Sequence, residues 1–186
     1  EEGDVTELNL QLNSDGYVEF CNSIDHAGTP DADEFTWEME YDTEGHLVVM
    51  KRSESDGEIT NITYKDGDVV KTSTRYVASG DLNGDGIIDS NDEWEYSASI
   101  DYTTDNITAP IENKGCLMLF DEILDVDMDE MIYAYYGGML GKATKHLPLV
   151  GHYTYNGEDS VSDMYFTWTL NLSLIHISEP TRLDVI

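Results

Sequence analysis

The stretch FTWEMEYDTEGHLVVMK, residues 35–51, decides the fold. In its first half, Phe35, Trp37 and Met39 fall on one side of an extended chain, and the polar residues Thr36, Glu38 and Glu40 fall on the other. Successive side chains of a β-strand point to opposite faces, so this half predicts a strand with one buried and one solvated face. A glutamate followed by Gly45 then turns the chain into an apolar run. The stretch therefore predicts an antiparallel β-hairpin.

The same plan of strand, acidic-glycine turn and strand recurs on both sides of this hairpin. Residues 5–21 turn at Gly16 and residues 59–77 turn at Gly67, each between segments with alternating apolar side chains. The turns are unevenly spaced, which indicates a meander of hairpins and not a solenoid of fixed period. Two further strands with the same alternation are predicted at 94–102 and 164–170.

The segment 115–141 interrupts the β pattern and predicts two short helices that plug one side of the sheet. Residues 117–124 carry apolar side chains at helical spacing. A second helix is expected to begin at Asp127, which precedes Glu130 by three positions as in a capping box. It should end near Gly141, because glycine is favoured just after a helix.

Residues 81–92, DLNGDGIIDSND, carry the clearest chemical motif. Oxygen-bearing side chains occupy the first, third, fifth, ninth and twelfth positions, and Gly86 permits a sharp turn. Ca²⁺ prefers about six to eight hard oxygen ligands, and this spacing wraps a backbone around one ion. Ile88 is expected to anchor the loop to apolar surroundings. The predicted ligands of one Ca²⁺ are the side chains of Asp81, Asn83, Asp85, Asp89 and Asp92 and the backbone carbonyl of Ile87.

Two features of this loop favour a structural brace over a calcium sensor. Its twelfth residue is Asp92, which is shorter than the glutamate of signalling EF-hands and resembles dockerin-type loops. The residues from Glu93 onward alternate as a strand, so the loop lacks the exiting helix that a sensor moves. The alternative is that 81–92 is an acidic, glycine-rich turn that joins two strands and binds no metal.

The overall composition excludes several functions. The 186 residues include 39 acidic and 9 basic side chains, for a net charge of −30, so repulsion by phosphates argues against nucleic-acid binding. No apolar run approaches the length of a transmembrane segment. Cys21 and Cys116 match no metal, redox or disulfide spacing, so two buried free thiols are favoured and a disulfide is the alternative.

The candidate catalytic groups have simpler interpretations. Glu38 and Glu40 share a strand face, as a glycosidase pair would, but that face is predicted to be solvated. The histidines show no metal-ligand spacing, and no P-loop, nucleophile elbow or dinucleotide motif occurs. Lys142 and Lys145 are assigned to the negative end of the second helix. The sequence therefore predicts that the protein is not an enzyme.

The two ends of the chain need their own interpretation. Residues 172–182, LSLIHISEPTR, resemble the translation of a transposase-type sequencing adapter. We therefore interpret 172–186 as a non-native tail and 1–171 as a single β-rich domain that is cut short. The chain begins at Glu1 without a methionine, which leads us to expect a processed N-terminus, with a leader or a lipid anchor upstream.

A family resemblance is carried by NKG (113–115), MLFDE (118–122), YAYY (133–136), LGKATKHLP (140–148) and the turn YDTEG (41–45). These segments are similar to secreted, lipoprotein-type Bacteroidales domains of unknown function that are described as having a porin-like fold. The resemblance implies a mainly β protein: a strongly curved antiparallel meander, an open or partial barrel, with two short helices packed on its concave side. It also implies an extracytoplasmic location, in the cell envelope or secreted. It brings no activity, and loop 81–92 looks like an insertion between two family strands.

Three functional hypotheses follow. We favour a non-catalytic cell-envelope or secreted domain that is braced by one Ca²⁺. The first alternative is a periplasmic or surface carrier of an apolar ligand, held by the half-barrel and its helices. The second alternative is a carbohydrate-binding or carbohydrate-active protein.

Overall fold

A computed structural model describes residues 5–53, 57–77, 80–89, 91–115, 117–121, 123–155 and 162–169. These residues form mainly β-strands. In chain order the strands are β1 (Glu7–Leu12), β2 (Val18–Asp25), β3 (Asp33–Tyr41), β4 (Leu47–Arg52), β5 (Glu58–Lys65), β6 (Asp68–Val77), β7 (Glu93–Asp101), β8 (Ile111–Glu112), β9 (His146–Leu147), β10 (Val150–Tyr155) and β11 (Ser162–Tyr165).

Nine strands form one antiparallel sheet in the order β1-β2-β3-β4-β5-β6-β7-β10-β11, and β8 pairs separately with β9. From β1 to β7 each strand pairs with the next one along the chain, so the predicted meander of hairpins is confirmed. Within the described residues β1 and β11 each pair on one side alone, which leaves the sheet open. The fold class is therefore mainly β, with an unclosed antiparallel sheet.

The alternation of the central hairpin produces the faces that the sequence predicts. Phe35, Trp37 and Met39 are buried, whereas Glu38 and Glu40 are exposed. We call the side of the sheet that carries the buried set the inner face. Three β-bulges lie next to the turns at Gly16, Gly45 and Gly67, in the β1–β2, β3–β4 and β5–β6 pairs. The extra residue of each bulge increases the local twist of the strands.

Residues 113–149, which we call the cover, lie against the inner face. Hydrogen bonds from strand side chains hold the backbone of the cover: the Thr72 hydroxyl donates to the Leu124 carbonyl at 2.7 Å, and the Tyr153 hydroxyl donates to the Ile123 carbonyl at 2.6 Å. The apolar side chains of the cover complete the core. Those that are almost completely buried are Leu124, Val126, Met128, Met131, Leu140 and Leu147.

The first predicted helix is wrong. Within 117–124, the described residues 117–121 and 123–124 form turns and no helix. The Leu119 carbonyl accepts the N–H groups of both Ile123 (3.2 Å) and Leu124 (2.9 Å), which closes a single turn. Side chains of the strands donate hydrogen bonds to the carbonyl groups of this segment, as Thr72 does to the Leu124 carbonyl. These bonds take the place of the backbone hydrogen bonds that would continue a helix.

The second predicted helix exists but is much shorter than expected. A 3-10 turn (Asp129–Met131) leads into α1 (Ile132–Tyr136), which is the one α-helix of the described chain. Asp127 does not cap it, since its carboxylate pairs with the guanidinium of Arg52, and no side chain caps α1 at all. The helix ends at Gly137, and Gly138 has a positive φ of 75° that turns the chain away.

The last part of the sheet is also shorter than predicted. β11 ends at Tyr165, and the chain continues beside the end of the cover, where the Phe166 N–H donates to the Leu149 carbonyl at 2.9 Å. Cys116 and the interpreted tail 172–186 lie outside the described residues. Cys21 is a buried free thiol, and burial raises its pKa to about 11.

Candidate functional site

Loop 81–92 connects β6 to β7 at one end of the sheet. Its described residues, 81–89 and 91–92, form neither helix nor strand, as a metal loop or a plain turn requires. Gly84 and Gly86 have φ values of 81° and 84°, a left-handed conformation that favours glycine. The sharp turn predicted from the sequence is therefore present.

The carboxylate of Asp81 organises the first half of this loop. Its Oδ1 accepts the backbone N–H of Gly84 at 2.6 Å and that of Asp85 at 3.2 Å. Its Oδ2 accepts the N–H of Gly86 at 2.8 Å. Three consecutive amides thus converge on one side chain, and the backbone wraps around it.

The carboxylate of Asp92 joins the two ends of the loop. Its Oδ1 accepts the N–H groups of Leu82 (2.7 Å) and Asn83 (3.1 Å), and its Oδ2 accepts that of Asp89 (3.0 Å). The side chain is fully buried. The amides of Asp89 and Asn83 hold the pKa of Asp92 below its ordinary value, so the carboxylate keeps its negative charge.

The remaining predicted side-chain ligands bond to the loop backbone nearby. Asn83 accepts the N–H of Asp85 at 2.9 Å, Asp85 accepts that of Ile87 at 2.8 Å, and Asp89 accepts that of Asn91 at 2.8 Å. The fold thus gathers all six predicted ligand residues into one loop. Their carboxylates point to loop amides, and the described chain contains no group of three or more His, Cys, Asp or Glu side chains arranged to hold a metal ion.

The predicted anchoring role of Ile88 is wrong. Its side chain is 56% exposed, and the neighbouring Ile87 is 61% exposed. The loop extends beyond the end of the sheet, so its tip does not contact the core. Its attachment to the fold comes from the strands on either side, β6 and β7.

At the opposite end of the sheet, the cover crosses three hairpin turns. The Met139 carbonyl accepts the Val18 N–H (2.8 Å), and Lys142 donates its N–H to the Gly45 carbonyl (2.8 Å). Lys145 donates in the same way to the Gly67 carbonyl (3.0 Å). The predicted helix-end role of Lys142 and Lys145 is therefore wrong, because α1 has already ended and these residues instead bond the turns.

Two histidines at the turn end of the sheet lie within hydrogen-bond distance of aspartates, and neither takes part in a metal-ligand cluster of the described residues. The Nδ1 atom of His46 lies 3.0 Å from Asp42, and that of His146 lies 2.7 Å from Asp68. Burial opposes the charge of Asp42, but the bonds from the backbone and ring of His46 lower its pKa overall. These pairs stabilise the turn end of the sheet.

Glu38 and Glu40 lie on the exposed face of β3, as predicted. The Nζ atom of Lys51 is 3.1 Å from Glu40 and 3.9 Å from Glu38. The two carboxylates therefore share one surface cation.

Sequence reasoning missed two groups of residues. The first joins three strands on the outer face, where the ring nitrogens of His152 lie 2.8 Å from Asp163 and 3.2 Å from Asp101. The second is a set of aromatic side chains on the inner face beside loop 81–92. The pairing register of neighbouring strands brings the members of each group together. The sequence shows only the alternation within each strand, which assigns a residue to a face and does not identify its neighbour on the next strand.

The fold defines a class of protein: an open, nine-stranded antiparallel meander whose inner face is closed by an internal segment of the chain. The chain belongs to the family described as a domain of unknown function (DUF4595) with porin-like fold, which matches residues 3–178. This confirms the resemblance inferred from the sequence. The match includes residues 172–178, which belong to the segment interpreted above as adapter.

The solved structures that share this fold include two porin-like proteins. A porin-like protein from Bacteroides uniformis ATCC 8492 aligns with a TM-score of 0.61 and 20% identity, over 100% of this chain and 68% of that chain. A porin-like protein from Bacteroides vulgatus ATCC 8482 aligns with a TM-score of 0.60 and 15% identity, over 100% of this chain and 79% of that chain. At these identities the similarity shows the fold alone.

A comparison with curated proteins found no match. In the described part of the chain, no helix is long and apolar enough to cross a membrane.

Proposed function

We propose that this protein is a non-catalytic domain of the bacterial cell envelope, or a secreted one, and that loop 81–92 binds one structural Ca²⁺. The observation that supports the calcium site is the placement of Asp92. This buried carboxylate holds the second, third and ninth residues of the loop through their amides, so the oxygen-rich segment is closed on itself. A closed loop reduces the conformational entropy that a metal would otherwise have to overcome.

The charge of the loop favours a divalent cation. Its aspartates at 81, 85, 89 and 92 lie within twelve residues, and their repulsion opposes the closed conformation. Ca²⁺ would replace some of the carboxylate–amide bonds with metal–oxygen bonds and neutralise this charge. The ion would tie the end of β6 to the start of β7 as a brace, since the strand after the loop provides no helix to move.

Calcium that binds only the folded state raises the free energy of unfolding. At about 100 times the dissociation constant the gain is about 2.7 kcal/mol. For a domain of this size, that corresponds to an increase in Tm of about 5–10 °C. We expect thermal unfolding of EDTA-treated protein to show this increase on addition of Ca²⁺ at constant ionic strength, and Mg²⁺ to have a smaller effect.

Matched variants separate a specific site from general screening, because a chain with a net charge of −30 gains stability from any divalent cation. The double variant Asp81→Asn with Asp85→Asn should lose the calcium effect. The control, Asp31→Asn with Asp105→Asn, removes two exposed charges from other turns and should keep it. Equal calcium effects in both double variants, or none in the unmodified protein, would overturn the proposal.

The location and shape of the domain rest on the family. Both similar structures are porin-like proteins of Bacteroides, and on this basis we place the domain outside the cytoplasm, with its sheet curved around the cover. Fractionation of the native host should detect the protein in the envelope or the medium, and a cytosolic signal would contradict this.

The described contacts favour neither alternative function, since the buried Met128 and Met131 fill the inner face and Glu38 and Glu40 are exposed.

A further inference from the structure

Four aromatic side chains meet on the inner face, at the end of the sheet that carries loop 81–92. We call Tyr76, Trp94, Tyr96 and Tyr155 the aromatic corner. Tyr76 pairs with Trp94 across β6 and β7, and Tyr96 pairs with Tyr155 across β7 and β10, so the four residues occupy adjacent positions on one face. The ring centroids of Tyr76 and Tyr96 are 6.5 Å apart at 66°, and those of Tyr96 and Tyr155 are 6.5 Å apart at 32°.

The cover leaves this part of the inner face open to solvent. Tyr155 is 38% exposed, and the other three aromatic residues are partly exposed. Two positions further along the same strands, Ala98 and Tyr153 are only 1% and 3% exposed, because the cover packs on them. The aromatic corner is therefore a partly accessible continuation of the core surface.

A carboxylate from the cover borders the aromatic corner. Asp125 accepts a hydrogen bond from the Tyr155 hydroxyl, and its Oδ2 atom is buried without a hydrogen-bond partner in the described part of the chain. Asp125 adopts a positive φ of 54°, an unusual conformation for a residue other than glycine. Burial raises its pKa, so a positive partner would stabilise its charged form.

The rings and the carboxylate together define one ligand chemistry. Aromatic faces attract cations through their quadrupole, and a partly desolvated carboxylate gains from a positive partner. The same face already uses this interaction internally, where the guanidinium of Arg52 lies 4.4 Å from the ring centre of Trp37. A pair of rings at 66° forms two walls around a compact cation, whereas the flat face of a sugar ring would need a flat platform.

We propose that the aromatic corner binds an organic ammonium group, either a quaternary ammonium or a protonated amine, with Asp125 as its counter-ion. Loop 81–92 contributes no ligand atom, so this inference is independent of the calcium proposal. Tyr76, Tyr96 and Tyr155 provide the walls, and Trp94 extends them toward the loop.

The test is calorimetric titration with choline and with 3,3-dimethyl-1-butanol, its neutral isostere, in the presence of EDTA. We expect choline to bind and the isostere to bind at least about tenfold more weakly, since only the charge differs. Tyr155→Leu and Asp125→Asn should each weaken choline binding by about fivefold to thirtyfold. Asparagine tolerates a positive φ, so the second variant should keep the local backbone.

Two further variants control for loss of structure. Tyr155→Phe keeps the ring and should retain most of the affinity. Tyr133→Leu removes an aromatic side chain that is 83% exposed on α1 and should have no effect. Equal affinity for the two probes would overturn the proposal in favour of an apolar site. Absence of choline binding at millimolar concentrations, or unchanged affinity in the folded Asp125→Asn variant, would overturn it outright.

Discussion

Gly141 holds the cover against the turn between β3 and β4, and its substitution tests this contact directly. The residue has a φ of +75°, and a Cβ atom at this position would lie 2.5 Å from the Gly45 carbonyl oxygen and 3.0 Å from the ring of Tyr41. The next residue, Lys142, donates its N–H to the same carbonyl at 2.8 Å. We therefore predict that Gly141→Ala separates the cover from this turn.

The expected loss has two parts. A left-handed conformation costs a residue other than glycine about 1–2 kcal/mol. The new Cβ atom would also push the Gly45 carbonyl away from the Lys142 N–H and break their hydrogen bond. If neither group finds another partner, the free energy of unfolding falls by about a further 1–3 kcal/mol. Gly138 provides a matched control, because its φ is also +75° but a Cβ there would have no atom within 4 Å. Gly138→Ala should therefore show the first loss alone.

Urea unfolding followed by tryptophan fluorescence measures both variants. We expect Gly141→Ala to lose about 2 kcal/mol more than Gly138→Ala, which corresponds to a difference of about 4–8 °C in Tm. The m-value should stay the same in both, since the unfolding reaction exposes the same surface. Equal losses in the two variants would refute the packing of Gly141 against the turn.

The hydrogen bonds from Asp163 and Asp101 hold the pKa of His152 above its ordinary value, so its stabilising contribution is complete below about pH 6.5 and is lost as the pH rises through the folded-state pKa. The urea midpoint of the unmodified protein should fall across that window relative to that of His152→Gln, and parallel profiles would contradict the assignment. Arg52→Met should cost about 3 kcal/mol, because the side chain is almost completely buried in a charged pair with Asp127. Asp127→Asn should also be destabilising, by about 1–3 kcal/mol, since it removes a carboxylate that compensates the buried guanidinium, and an unchanged urea midpoint in this variant would count against the pairing.

The strands could be predicted from the sequence because their signal is local. Alternation places Phe35, Trp37 and Met39 on one face whatever the partner strands are, and the turn glycines at 16, 45 and 67 mark where the chain reverses. Among the described residues the first predicted helix is absent and the second is much shorter than predicted, for the opposite reason. The cover forms its hydrogen bonds with the sheet beneath it, and these contacts replace those of a continuous helix.

The sequence by itself determined the meander, the family resemblance and the position of loop 81–92, because each depends on residues that are close together along the chain. The tertiary structure alone decided that Asp127 pairs with Arg52, that Gly141 meets Gly45, and that Asp125 reaches Tyr155 beside the rings of β6 and β7. These contacts join residues that are far apart in the chain, and the hydrophobic burial of the cover brings them together. No local pattern of charge or periodicity records which distant partner a side chain will meet.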